Sequence, residues 1–412
     1  MKVKVITFVI FVTLSLQSAF AGGFQLNEQN ARAMAMGGAF TAVSNDPSAI
    51  YFNAAGLTQL TGINIMLGTT LIAPTFSFRG VSPSTQEYDA AKQTFFPTHF
   101  FASYSYNKDL AFGIGFDSPF GLASKWAQNW VGKYLAIETN LQTFTISPVV
   151  AYNLLDNLSV SAGLVYSFAN VTISQKTPQT PFTGDAFTTL TGKDNSAWGF
   201  NLGALYRPTE ELSIGVSFHS QVKYTFKGTA STIGAAQLAS QLPNGNASAD
   251  LTTPVNLAFG VAYKVLPELL LSADYQYVGW SSYDSLTVDF SSPNMVKSSP
   301  RLYDNSFILR FGAEYGLTQD LKVRAGIYYD KDPVKAQYLN PSLPDADRLG
   351  FSFGLGYKLM NNFNIDAAYL FIRGKQMTIT NSLENYAGGI SPFNGTYNTA
   401  ANLVSLTLSY SL

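Results

Sequence analysis

Few side chains in this sequence could carry covalent chemistry. Its 412 residues include two histidines, His99 and His219, and no cysteine. That excludes thiol catalysis, thiolate-held metals and disulfides, and it leaves too few ligands for a histidine-rich metal centre. Ser217 stands two residues before His219, the spacing of neighbours on one strand face, and no Ser-His-acid constellation surrounds either imidazole. No enzyme activity, cofactor or metal is therefore expected. What remains is noncovalent. Trp126, Trp130 and Tyr134 recur every fourth residue, which predicts one side of a short helix in a loop, exposed as a capture surface for apolar molecules or packed on a neighbouring loop. Gly113, Gly115, Pro119 and Gly121 crowd a single strand and its exit. Proline withholds a ladder donor and glycine permits bulges, so this cluster predicts an interrupted strand or simply a strand end. Arg310, Glu314, Lys322 and Arg324 share one face of an alternating hairpin and predict an ion ladder. If Tyr315 pairs with Leu321, Glu314 lies across from Lys322. Asp347 and Arg348 predict a structural ion pair.

The elements that would position these groups follow from composition and periodicity. Charged residues make up 12% of the chain, against about 25% in an average soluble protein. Aromatics reach 14% and the formal net charge is -1, so no basic field for nucleic acid exists. A mean hydropathy of +0.08 is too low for a bundle of membrane helices. At the start, Lys2 and Lys4 precede an apolar run from Val5 to Leu16, followed by Ser18, Ala19, Phe20 and Ala21. The run is shorter than the roughly 20 residues that span a bilayer as a helix. It reads as a secretory signal, residues 1–21, cleaved after Ala21.

Beyond Gly62, apolar and polar residues alternate with period two, the signature of strands. Phe307, Leu309, Phe311, Ala313 and Tyr315 share one face, while Arg310 and Glu314 take the other. An apolar face opposite a charged one suits a sheet with lipid outside and water inside. Short turns recur, each entered by a tyrosine: Tyr106, Tyr152, Tyr206, Tyr263, Tyr315 and Tyr357. Longer connections are read at 79–93, 119–134, 177–195, 229–250, 291–302, 331–347 and 382–397. Six turns and seven connections predict fourteen strands in an all-β, antiparallel transmembrane β-barrel spanning residues 58–412, with the tyrosines as an interfacial girdle. The last strand alternates through Val404, Leu406, Leu408 and Tyr410 to Leu412, a terminus suited to barrel-assembly machinery. Residues 22–57 do not alternate and are rich in alanine and glycine, which predicts an N-terminal plug inside the lumen.

In these features the chain resembles the FadL/TodX type of outer-membrane transporters for long-chain fatty acids and aromatic hydrocarbons. The resemblance rests on Gly23-Phe24-Gln25-Leu26-Asn27-Glu28, on Gly37, Gly38, Ala39 and Asp46, and on Asn53-Ala54-Ala55, where the family has Asn-Pro-Ala. It continues through Pro119-Phe120-Gly121-Leu122-Ala123, Ser220 to Gly228, Trp280, and Pro344-Asp345-Ala346-Asp347-Arg348. It implies a monomeric, plugged outer-membrane barrel that captures apolar molecules at its outer loops, holds them in an inner pocket and releases them sideways beside strand three. The residues it marks for ligand binding and transport are Phe24, Leu26, Asn53, Gly115, Pro119, Phe120, Gly121, Trp126, Trp130 and Tyr134, with Gly113, Gly115 and Gly121 lining the gap. The expected partners are a hydrophobic small molecule and outer-membrane lipid. An unspecific aqueous porin is the alternative.

Overall fold

The computed structural model describes residues 22–386 and 391–412. The signal segment expected at residues 1–21 lies outside them. The chain closes fourteen antiparallel strands into a barrel. In chain order these are β1 (Ile63–Gly80), β2 (Thr98–Ser105), β3 (Leu110–Asp117, resuming as Gly121–Lys125), β4 (Glu138–Leu155), β5 (Leu158–Pro178), β6 (Asp185–Tyr206) and β7 (Leu212–His219, then Lys223–Ile233). They continue with β8 (Asn244–Thr252, then Asn256–Leu266), β9 (Leu269–Val278, then Ser285–Ser292), β10 (Asn294–Pro300, then Ser306–Gly316), β11 (Leu321–Asp330), β12 (Arg348–Met360), β13 (Phe363–Gly374) and β14 (Gly395–Ser411). Closure comes from β1 and β14, which pair from Asn64↔Ser411 to Gly80↔Gly395.

Alternation sets the faces as expected. On β10, Ile308, Arg310, Gly312 and Glu314 are buried inward, while Phe311 is 55% exposed. On β12, Phe351, Phe353 and Leu355 point out, with Phe353 at 61%. All six turn tyrosines are exposed on the outer face. Strand intrudes on several of the expected connections, 119–134 among them, where β3 resumes as Gly121–Lys125. Residues 177–195 are mostly strand, because β5 runs to Pro178 and β6 begins at Asp185. The connections at 229–250 and 291–302 shrink likewise, with strands reaching Ile233, Asn244, Ser292 and Asn294. β6 has 22 residues, whereas a tilted strand crosses a bilayer in about 9–11. The sheet therefore extends well past the hydrocarbon layer at the long-connection end.

The amino-terminal segment packs against inward-facing wall residues, folded as α1 (Ala31–Ala35), α2 (Ala49–Phe52) and a 3-10 turn (Ala54–Gln59). Asn30 caps α1 by accepting from the Arg32 N–H at 2.8 Å. Small residues allow close approach to the wall. Gly37 and Gly38 have φ of +65° and +77°, and a Cβ on Gly326 of β11 would lie 2.1 Å from the Gly37 nitrogen. Wall and segment thus meet backbone to backbone.

Charge fixes the same contact. The Arg32 guanidinium reaches Glu314 at 2.8 and 3.2 Å, and Glu314 also accepts from Arg324 at 2.7 Å and Lys322 at 3.0 Å. Arg324 reaches on to Asp366 at 2.5 Å. The ladder therefore forms without Arg310, which donates to Gln276 at 2.6 Å, and its register differs from expectation: Tyr315 pairs with Val323, and Glu314 faces Arg324. A shift of two residues keeps the parity, so Lys322 still reaches the carboxylate.

Candidate transport path

The path is organised by the interruption in β3. β2 and β3 stay paired as far as Phe100↔Phe116, and beyond that β2 no longer borders β3. Against β4 the ladder runs to Asp117↔Thr145 and resumes at Gly121↔Gln142. Four steps on β3 thus oppose three on β4, so the break contains a bulge, and Pro119 brings no N–H to it. Thr143 holds the far side, its hydroxyl accepting from the Phe120 N–H at 3.0 Å.

On the side that β2 has left, the amino-terminal segment takes the place of a strand. Leu26 N–H donates to Pro119 O at 2.8 Å, and Gly121 N–H donates to Phe24 O at 2.9 Å. Gln29 adds a bond to Ser118 O at 2.8 Å. Phe24 is buried edge-on against Trp280 and Phe120, at centroid distances of 4.8 and 5.9 Å.

Three spaces meet here. A groove of about 720 Å³ opens among the outer extensions of β5 to β10, with Tyr134, Ile173, Phe226, Leu251 and Phe290 on its walls. A cavity of about 290 Å³ lies inward of it, lined by Leu26, Glu28, Ile72, Phe76, Gly121 and Arg348. Phe24, Leu122, Leu141 and Leu343 border both. A smaller space of about 100 Å³ lies past Phe120 and Pro119, beside Tyr51, Asp117 and Arg310. Both larger spaces expose mainly apolar walls, as a site for hydrophobic molecules requires. Glu28 is the carboxylate that the amino-terminal segment brings to the inner cavity. Burial raises its pKa above the usual range, opposed by Arg310 and Arg348.

The sequence-marked residues divide accordingly. Phe24, Leu26, Pro119, Phe120 and Gly121 converge on the break and its cavities, and Tyr134 lines the outer groove. The Tyr134 hydroxyl donates to Asp185 at 2.7 Å, and burial together with that carboxylate raises its pKa. Trp126 and Trp130 require correction, since each is 2% exposed rather than presented to solvent. They stack at 4.2 Å, and the Trp126 indole donates to Pro341 O at 2.9 Å. Their segment forms turns, not a helix, and Trp130 folds in against Phe78 and Phe393. Asn53 likewise borders none of these three spaces. Its amide donates to Thr41 O at 2.9 Å and Ala204 O at 3.0 Å, tying the segment to β6. Gly115 does face Phe101 as the short-turn register required. However, Gly113 and Gly115 point inward onto Ile50 of α2, so of the three glycines only Gly121 borders the cavity at the break. The expected Asp347–Arg348 pair is also absent: Arg348 reaches Asp345 at 2.9 Å, and Asp347 accepts from Lys331 at 2.6 Å.

Several groove residues escaped the sequence reading. Leu190, Ala247 and Lys297 fall in stretches read as loops, and their strand pairing was the missing information. Ser217 and His219 are 3.3 Å apart, as residues two apart on one strand face can be.

Comparison with known proteins agrees with this architecture. The chain is 27% identical over 369 residues to outer membrane protein P1 of Haemophilus influenzae, covering 80% of this chain and 77% of that protein. It is 24% identical to the long-chain fatty acid transport protein of Salmonella typhi, covering 90% and 92%. Its fold matches the crystal structure of a Pseudomonas aeruginosa FadL homologue with a TM-score of 0.85, at 23% identity, covering 95% of this chain and all of that one. The toluene transporter TodX of P. putida superposes with a TM-score of 0.75 at 16% identity, covering 96% and 99%. The model of the outer membrane protein transport family (OMPP1/FadL/TodX) matches residues 12–412, and the chain, a closed fourteen-stranded barrel, belongs to that family of bacterial outer-membrane transport proteins, which are not enzymes.

Proposed function

We propose that the protein takes up hydrophobic small molecules, long-chain fatty acids or aromatic hydrocarbons, and delivers them sideways into the outer membrane. The observation that carries this reading is the coincidence of an apolar cavity with the one place where β3 and β2 part. Ligand is captured in the outer groove, passes Phe24 into the inner cavity, and leaves through the break at Ser118–Gly121. Residues 22–57 act as the plug, closing the lumen to water while forming one wall of the cavity. A lateral exit is physically sensible, because an apolar molecule gains nothing from a wet lumen and partitions readily into lipid. Relatives named for fatty-acid and toluene transport support both substrate classes.

Gly121→Phe tests the exit. A Cβ there would lie 2.9 Å from the end of the Leu26 side chain, which can swing aside, so the substitution fills the opening without opposing backbone. The expected result is a correctly assembled barrel that still binds apolar ligand and takes up little of it. Uptake of both labelled oleate and toluene at the parent rate would refute lateral release.

A further inference from the structure

We propose that removal of residues 1–21 creates a group the folded barrel uses: the α-ammonium of Gly22, which becomes the counter-ion of Asp330. This rests on the cleavage site read at Ala21. Asp330 ends β11 and is 4% exposed, and its Oδ1 is buried with no hydrogen-bond partner among the described residues. Gly22 lies directly against it. A Cβ on Gly22 would sit 2.2 Å from Asp330 Oδ2 and 2.9 Å from an Arg348 nitrogen, so no larger residue fits this orientation.

The next residue is clamped from both sides. Gly23 N–H donates to Asp345 Oδ2 at 2.6 Å, and Arg348 donates to Gly23 O at 3.0 Å. The Gly22 nitrogen is one bond, about 1.5 Å, from the Cα whose Cβ direction runs into the Asp330 carboxylate. Charge counting points the same way. Glu28, Asp330 and Asp345 meet Arg310 and Arg348 around adjoining cavities, leaving one carboxylate without a cation. A buried carboxylate is costly unless paired or protonated. In the unprocessed chain the Gly22 nitrogen is a neutral amide with one donor. After cleavage it is an ammonium with three donors and the missing charge.

The experiment uses the purified full-length barrel in detergent. Intact mass first establishes the initial residue, and acetylation by an N-hydroxysuccinimide ester is then followed against pH on the tryptic peptide 22–32. An α-amine ordinarily titrates near 7.7–8.0. Ion pairing with Asp330 should raise its titration by at least about one unit, whereas burial without a partner would lower it. Asp330→Asn should abolish the rise. Should that variant fail to assemble, inserting one alanine before Gly22 displaces the amine by up to about 3.6 Å while leaving Asp330 in place, and should abolish it too. A mature chain that begins elsewhere than Gly22, or an amine titrating at or below its ordinary value, overturns the proposal. Neither outcome depends on whether ligand leaves sideways, since the labelling reads no transport.

Discussion

Replacing Glu314 by glutamine should release the amino-terminal segment without disturbing the sheet. Glu314 accepts from Arg32, Arg324 and Lys322 within 3.2 Å and is almost wholly buried. Removing one partner of a buried ion pair costs about 3–5 kcal/mol. The lower end applies here. Arg32 keeps Asp46 at 3.2 Å, Arg324 keeps Asp366 at 2.5 Å, and Lys322 is half-exposed and returns to water. About 3 kcal/mol corresponds to a factor of about 100 in the equilibrium between docked and released segment. Amide hydrogen exchange of the barrel in detergent reads this directly. Amides from Ala31 to Phe52 should exchange about 100-fold faster, while those of β10 and β11 keep their protection. A change of less than about threefold in the segment would mean that glycine-to-backbone packing alone holds it, and the electrostatic account would fall.

Other substitutions separate packing from transport. Trp130→Ala should loosen the outer loops by about 3–5 kcal/mol, the usual cost of truncating a buried tryptophan, and limited proteolysis should then cut between residues 119 and 137. Unaltered resistance together with reduced uptake would restore Trp130 to a capture role. Asn53→Ala removes bonds to Thr41 O and Ala204 O and should cost about 1–3 kcal/mol, seen as faster exchange in residues 41–57 with ligand retention unchanged. Single cysteines test orientation in this Cys-free chain. On intact cells an impermeant thiol reagent should label Ser84→Cys and spare Gln319→Cys, and the reverse pattern would invert the barrel.

Local periodicity determined much of this protein. The strand count, the inward charges at Arg310, Glu314 and Arg324, and the outward tyrosines follow from alternation alone, because successive side chains on a strand face opposite ways whatever the fold. The same rule could have placed Gly113 and Gly115 inward, since Phe112 and Ile114, which alternate with them, face out. Only closure of the barrel decided the rest. Threonine-rich stretches such as Phe187–Thr191 look like loops until β7 lies beside them, pairing Phe187 with Ile233. Trp126 and Trp130 have the spacing of an exposed stripe, yet they stack on each other, and Phe78 from β1 and Phe393 beside β14 pack on Trp130. Residues 24–26 read as irregular chain until the break in β3 offers them unpaired backbone groups at Pro119 and Gly121. Alternation is written residue by residue, whereas these partners lie far away in sequence and meet only once the sheet has closed.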